Sequence, residues 1–147
     1  MKTIRVFGLL MVLSCAVSSA SAQDDDIRAV VKGLFTSMYT ADAEGLKAVF
    51  HDSARIGTVS ADGQVRYTPA SGFIAYVGKL EKGIADERFE VKEVSIDGNM
   101  ASAWVPYSFY RAGVFSHCGV NHMLLTKGKN GWKILTITDT RRKDDCR

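Results

Sequence analysis

The chain has 147 residues, a length that favours a single domain. Its 19 basic and 16 acidic residues nearly cancel, and outside Lys2 and Arg5 the counts are 17 and 16. Because the sequence carries no strong basic stripe, the composition argues against a nucleic-acid partner.

The N-terminus has the layout of a secretory signal peptide. Two basic residues precede an apolar run over residues 6–17, and small residues lead up to Ala22. The run is shorter than the ~20 residues that cross a bilayer, and the small-x-small pattern favours cleavage after Ala22. We therefore expect a signal peptide over residues 1–22. Residues 23–147 then form one domain that is periplasmic or secreted and has no stable membrane span.

Three cysteines occur in the chain. Cys15 follows Leu13 and Ser14 in a segment that loosely resembles a bacterial lipidation site, but Leu13 is larger than the residue usual there, so a lipid anchor is not favoured. Cys118 and Cys146 remain after cleavage, and an even count in an oxidising compartment predicts a disulfide that pins the C-terminal tail to the sheet. The alternative is a buried free Cys118 and a frayed Cys146.

Three helices are predicted in the first half of the domain. Residues 25–39 carry apolar side chains at helical spacing. Aspartates lie at the start of this segment, where the helix dipole stabilises negative charge. A second, shorter helix runs from an Asp42 cap to Phe50, and Ser71 caps a third whose apolar side extends to Leu80. These helices are the available cover for an apolar sheet face.

After the second helix the chain changes to the two-residue period of strands. The predicted strands are residues 55–59, 64–68, 88–96 with a bulge, 100–110, 114–127 and 132–140. Pro106 interrupts one of them and suggests an edge or a bulge there. Separate helices and consecutive strands predict an α+β fold, a cone-shaped, strongly curved antiparallel sheet covered by the three helices. A pocket is expected inside the cone.

Several motifs resemble the nuclear transport factor 2-like superfamily. Phe50-His51-Asp52-Ser53-Ala54 resembles its recurrent turn after the second helix, and Gly131-Trp132-Lys133-Ile134 resembles the opening of its last strand. More narrowly, Ser116-His117-Cys118-Gly119-Val120-Asn121 and Ile137-Thr138-Asp139-Thr140-Arg141-Arg142 resemble the subfamily named putative lumazine-binding, and the chain is also similar to SnoaL-like proteins. The resemblance implies a cone-shaped fold, a mainly apolar pocket and a homodimer through the sheet. Because this superfamily includes both enzymes and binding proteins, it does not decide the function.

Strand alternation decides which polar residues share a face of the sheet. In the strand over residues 114–127, His117 and Asn121 face one side, and Cys118 and His122 face the other. Cys118 and His122 lie about 13 Å apart along the strand, so they cannot form a nucleophile–base pair. Because His117 and His122 face opposite sides and no other metal-ligand spacing occurs, we predict no metal site and no cofactor.

Asp139 and His117 are the candidate catalytic residues. Asp139 is a lone acid in an otherwise apolar last strand and could act as the base in a proton transfer. The alternative is a structural role, in which Asp139 pairs with an arginine or anchors the sheet edge. His117 and Asn121 could hydrogen-bond a ligand carbonyl or form a polar network at the sheet surface or a dimer interface.

Aromatic residues and one further histidine complete the candidate ligand-binding set. Tyr67 and Tyr107 each carry a hydroxyl that could donate to a ligand oxygen, and Trp104 is a third aromatic candidate. Aromatic side chains of this kind also serve as core. His51 ends the second helix, where the helix dipole alone favours a histidine.

Three functions fit these residues. The favoured one is an exported binding protein that holds a small, mostly apolar or heteroaromatic molecule in the cone. The second is a pocket enzyme of the isomerase or dehydratase type that transfers a proton through Asp139 or a histidine. The third is a dimeric module that uses the sheet face to bind another protein.

Overall fold

The computed structural model describes residues 16–146, and the side chains from residue 21 onwards. In this part of the chain the α+β fold is confirmed, with three helices and a curved, unclosed sheet of seven strands. The basic head, most of the apolar run and Cys15 lie outside the described residues. In chain order the elements are α1 (Ala16–Thr40), α2 (Ala43–Val49), β1 (Phe50–Val59), β2 (Val65–Pro69), α3 (Ala70–Val77), β3 (Ala85–Phe89), β4 (Glu93–Asp97), β5 (Met100–Arg111), β6 (Val114–Gly128) and β7 (Gly131–Thr140).

The strands lie in the order β2-β1-β7-β6-β5-β3, and β4 also pairs with β5. Their pairing is antiparallel except between β1 and β7, which run parallel. The expectation of a wholly antiparallel sheet is therefore corrected at this pair. Parallel neighbours need a long connection, and here the connection is most of the domain, so the last strand returns to the middle of the sheet beside the first.

The helices follow the predicted periods with shifted ends. α1 begins earlier than the predicted start at Asp25. Asp42 caps α2 as predicted, because its Oδ1 accepts a hydrogen bond from the Gly45 amide at 2.9 Å. Ser71 does not cap α3, since that helix begins at Ala70 directly after Pro69 and has no side-chain cap. None of the described helices is long and apolar enough to cross a membrane.

Residues 88–96 form parts of two strands rather than one bulged strand. β3 and β4 both pair with β5, and the break between them lies opposite Pro106. The Glu90 amide donates to the Pro106 carbonyl at 3.1 Å, so that carbonyl faces the break. The amide hydrogen that proline lacks would point to the same side. Pro106 therefore fits inside β5, an interior strand, because its missing donor falls where the neighbouring strand is interrupted.

Strand alternation also fixes the inner face of the sheet. On β6, Asn121, Met123 and Leu125 are buried, whereas His122 is exposed. This confirms that the face carrying His117 and Asn121 is separate from the face carrying His122, and it makes the former the inner face. The core lies between this face and the helices, and its most deeply buried side chains include Ile27, Val31, Leu34, Leu46, Val77, Val105, Met123, Leu125 and Ile134.

The predicted disulfide between Cys118 and Cys146 is present. Cys118 also forms a β-bridge with Arg142, in which each amide donates to the other residue's carbonyl at 2.9 Å. The tail is thus held to β6 both by backbone hydrogen bonds and by a covalent bond.

Removing this cross-link should lower the stability of the domain. The Cys146→Ser variant leaves the packed Cys118 thiol in place, and we expect its free energy of unfolding to fall by about 3–4 kcal/mol, because the unfolded chain regains the entropy of a loop of 28 residues. Urea denaturation without reductant measures the change. The neighbouring Asp144→Ser variant is the matched control, and equal stability of the two variants would contradict the expectation.

Candidate functional site

A cavity of about 310 Å³ lies between α3, the segment that follows it and the inner face of the sheet. Apolar side chains form most of its wall: Met38, Phe73, Val77, Leu80, Ile84, Ala85 and Phe109. Polar side chains from four strands and the residue after β7 meet on the sheet side: Glu87, Tyr107, His117, Asp139 and Arg141. Tyr76 and Arg111 also line the cavity, and Nη1 of Arg111 donates to the Tyr76 hydroxyl at 3.2 Å. A second cavity of about 90 Å³ shares Glu87, Asp139 and Arg141 with the first and is also lined by Asn121.

We call Glu87, Tyr107, Asn121, Asp139 and Arg141 the polar cluster. Strand register brings its members together, because Asn121 on β6 lies directly opposite Asp139 on β7, and both face inward. The structure therefore places four of the predicted site residues at this end of the cavities, namely Asp139, His117, Tyr107 and Asn121.

Gly119 makes the polar cluster possible. A Cβ atom at this position would lie 1.8 Å from the Thr140 carbonyl oxygen and 3.0 Å from Cε1 of Tyr107. With no side chain there, the ring of Tyr107 on β5 can cross β6 towards β7. Its hydroxyl then donates to the Thr140 carbonyl at 3.0 Å and lies 3.3 Å from Oδ2 of Asp139.

Asp139 is 5% exposed and has an uneven set of hydrogen bonds. Its Oδ2 accepts from Nε of Arg141 at 2.8 Å and shares the hydrogen of the Tyr107 hydroxyl, at 3.3 Å, with the Thr140 carbonyl. Its Oδ1 is buried and has no hydrogen-bond partner among the described residues. The ion pair with Arg141 matches the structural role considered for Asp139. However, a buried oxygen without a hydrogen-bond partner lowers the stability of the fold. A donor placed next to Oδ1 would remove this cost.

Glu87 on β3 is a member of the cluster that the sequence did not reveal. Its Oε1 accepts from Nδ2 of Asn121 at 2.7 Å. Burial raises the pKa of Glu87 to about 7, and the charge of Asp139 adds to this rise, against the opposing effects of the Asn121 hydrogen bond and Arg141. Glu87 therefore changes its protonation state near neutral pH. The alternation of Ala85, Glu87 and Phe89 on one face was the available signal.

His117 and Tyr107 stay uncharged at neutral pH for different reasons. Burial and the positive charge of Arg141 lower the pKa of His117, although Asp139 partly opposes them. Burial, together with the charges of Asp139 and Glu87, raises the pKa of Tyr107 well above its usual range. The imidazole packs against aromatic rings, with centroids 5.7 Å from Tyr107 and 5.2 Å from Phe109.

Three predicted ligand-binding residues do not line the cavity of about 310 Å³. Trp104 is 48% exposed, on the face of β5 opposite the buried Val105. The Tyr67 hydroxyl contacts Oγ1 of Thr138 at 2.5 Å on that same outer face. His51 is exposed at the start of β1, where its Nδ1 lies 3.0 Å from the Ser53 hydroxyl, and it lines a separate cavity of about 350 Å³ between α2, α3 and β1. Their positions follow from alternation along β5 and β7 and from the exposed start of β1.

Residues 16–146 contain no group of three or more His, Cys, Asp or Glu side chains placed to hold a metal ion. The polar groups that line the cavity are two carboxyl groups, two tyrosine hydroxyls, an imidazole and two guanidinium groups. These groups can hydrogen-bond the polar part of a ligand, and Glu87 can exchange a proton near neutral pH.

Comparison with known proteins gives the same fold. A nuclear transport factor 2-like protein of unknown function from Silicibacter pomeroyi is 19% identical, with a TM-score of 0.69 over 84% of this chain and 98% of that one. A nuclear transport factor 2-like protein with a cystatin-like fold from Novosphingobium aromaticivorans is 13% identical, with a TM-score of 0.71 over 91% of this chain and 94% of that one. No curated protein matches the chain.

The sequence relationship is narrower than the structural one. A family model described as "Putative lumazine-binding" matches residues 22–138, which include all the strands except the end of β7. The match ends just before Asp139, Arg141 and the disulfide-bonded Cys146, so these features of the site and tail lie beyond it. The chain belongs to the putative lumazine-binding family and has the fold of nuclear transport factor 2-like proteins.

Proposed function

We propose that this protein binds a small, mostly apolar or heteroaromatic molecule in the cavity of about 310 Å³. The observation that carries the proposal is the combination of apolar walls with one polar cluster, since ligand sites typically pair a hydrophobic lining with a few placed polar groups. The volume lies at the lower end of the usual range of roughly 300–1,000 Å³, which favours a small ligand. The family description, which refers to lumazine, a heteroaromatic compound, agrees with this ligand class.

We also propose that the domain works outside the cytoplasm. The layout of residues 1–22 supports export. The disulfide between Cys118 and Cys146 supports it independently, because such bonds persist in oxidising compartments.

Protein purified from its own host should carry a small molecule in the cavity. Native mass spectrometry is the measurement, and the mass of the chain in the same spectra reports whether the first 22 residues were removed. Ile84 lies in the cavity wall, so Ile84→Trp should fill the space and abolish the bound mass, whereas the Ile84→Leu control should retain it. An empty cavity in the wild type, or an unchanged bound mass in Ile84→Trp, would contradict the proposal.

A second candidate function, acid–base catalysis of the isomerase or dehydratase type, is favoured by one specific observation. Glu87 titrates near neutral pH beside Asp139, a carboxylate paired with Arg141. Two carboxyl groups in different environments at one end of a cavity can serve as the general acid and the general base of a reaction.

The pH dependence of stability tests the titration of Glu87. Between pH 4.5 and about 7 the folded protein keeps a proton on Glu87 that the unfolded chain releases, so this group makes the free energy of unfolding fall as the pH rises. We expect Glu87→Gln to match the wild type near pH 4 and to exceed it by about 1–2 kcal/mol at pH 8, a partial effect because Glu87 is only partly buried.

Urea denaturation at several pH values measures this difference. Because His117 is present in both proteins, its contribution cancels when one free energy of unfolding is subtracted from the other. Asp86→Asn is the matched control, because Asp86 is the neighbouring acid on the opposite face of β3 and pairs with Arg88. A difference between wild type and Glu87→Gln that does not vary with pH would contradict the assignment.

We also propose that the protein forms a homodimer through the outer face of the sheet. The register places Tyr67, Gly57, Thr138, His122 and Trp104 in one row across five strands. Tyr67 and Trp104 are exposed, at 39% and 48%. Exposed aromatic rings on a sheet face are typical of an interaction surface, and a second copy of the chain would cover both.

Replacing Trp104 should separate the two copies. Trp104→Glu places a charge in the buried part of the proposed interface, and light scattering coupled to size exclusion should show a shift from dimer to monomer. Tyr76→Glu is the control, because Tyr76 is equally exposed at 48% but lies at the cavity instead of on the outer face. A wild-type monomer, or a Trp104→Glu dimer, would refute this mode of association.

A further inference from the structure

We infer that the cavity selects ligands that present a hydrogen-bond donor, an N–H or an O–H, to the carboxylate of Asp139. The inference rests on the proposed function, because it names the kind of molecule that the same cavity binds. It also gives Asp139 a role that its ion pair with Arg141 does not explain.

Three donors of the polar cluster are already directed at protein oxygens. The Tyr107 hydroxyl donates to the Thr140 carbonyl, Nδ2 of Asn121 donates to Glu87, and Nε of Arg141 donates to Oδ2 of Asp139. After these bonds are made, Oδ1 of Asp139 is a buried acceptor without a donor in the described part of the chain. A hydrogen-bond donor on a ligand would therefore complete the hydrogen bonds of the cluster at Oδ1.

Arg141 does not reverse the preference for a ligand that donates a hydrogen bond. Its side chain is 52% exposed, so water can satisfy the donors that it does not direct at Asp139. The side chain of Asp139 is only 7% exposed, so water has little access to Oδ1. An anionic ligand would also meet the negative charge of Asp139, and above neutral pH that of Glu87 as well.

The cavities define where the donor comes from. Asp139 lines both the larger cavity and the smaller one, which extends towards Leu34, Phe35 and Ile137 in the core. The apolar walls accommodate the body of a ring, and the polar cluster lies on the sheet side. The expected ligand is thus a neutral or cationic ring compound with an O–H or N–H group at one edge.

Three naphthalene probes of similar size test the inference on the full chain. 2-Naphthol carries a donor, 2-methylnaphthalene has nearly the same shape without one, and 2-naphthoate is an anion. By calorimetric titration at pH 7 we expect 2-naphthol to bind at least about tenfold more tightly than 2-methylnaphthalene, as a hydrogen bond to a charged group would give. In Asp139→Asn this ratio should fall towards one, whereas in the Asp86→Asn control it should be unchanged.

The outcomes separate the two proposals. Equal binding of 2-naphthol and 2-methylnaphthalene to the wild type overturns the inference, as it would if a water molecule satisfied Oδ1, but it leaves the proposed cavity ligand in place. Tightest binding of 2-naphthoate also overturns the inference and points to an arginine of the cavity, Arg141 or Arg111, as the anchor. No binding of any probe, together with an empty cavity in native mass spectra, overturns the proposed function itself. The wild-type series needs no variant, so the test holds even if Asp139→Asn fails to fold.

Discussion

The burial of one carboxylate, that of Asp139, constrains the whole polar end of this protein. A charge taken out of water needs a counter-charge and hydrogen bonds, and losing one partner of such a pair costs about 3–5 kcal/mol. Arg141 and Tyr107 supply the partners. Gly119 leaves the space that Tyr107 crosses, and the bridge from Cys118 to Arg142 holds the residue next to Arg141 against β6. The disulfide, the glycine and the tyrosine thus all support the position of one acid.

The two faces of the sheet are chemically independent because side chains alternate along every strand. β6 shows this best, since Asn121 joins the polar cluster while the next residue, His122, lies in the exposed row with Trp104. β7 repeats the pattern with Asp139 inside and Thr138 outside. One domain can therefore hold a ligand on its inner face and a second chain on its outer face without sharing a residue between the two sites.

Local sequence patterns predicted the helices, the cap of α2, the strand segments 55–59 and 64–68 and the disulfide, because each of these depends on short-range periods or on cysteine chemistry. Alternation along the strand also predicts that His117 and Asn121 share a face. The place of Glu87 in the polar cluster is not predictable in this way, because the pairing of β3 with β5 depends on where the chain breaks opposite Pro106. The parallel pair of β1 and β7 and the outward position of Trp104 likewise depend on long-range register, which a single sequence does not encode locally.

The two proposed activities, ligand binding and proton transfer, would use the same geometry at this site. Under the proposed function, a donor on the ligand faces Asp139, and Glu87, the group that titrates near neutral pH, lines the same two cavities. A ligand whose donor is a weak acid, such as a neutral hydroxyl, keeps its hydrogen and is only bound. A ligand that has an acidic C–H or O–H and a basic atom nearby could instead lose a proton to one carboxylate and regain one from the other. The acidity of the ligand, and not a difference in the protein, would then decide whether this cavity binds or catalyses.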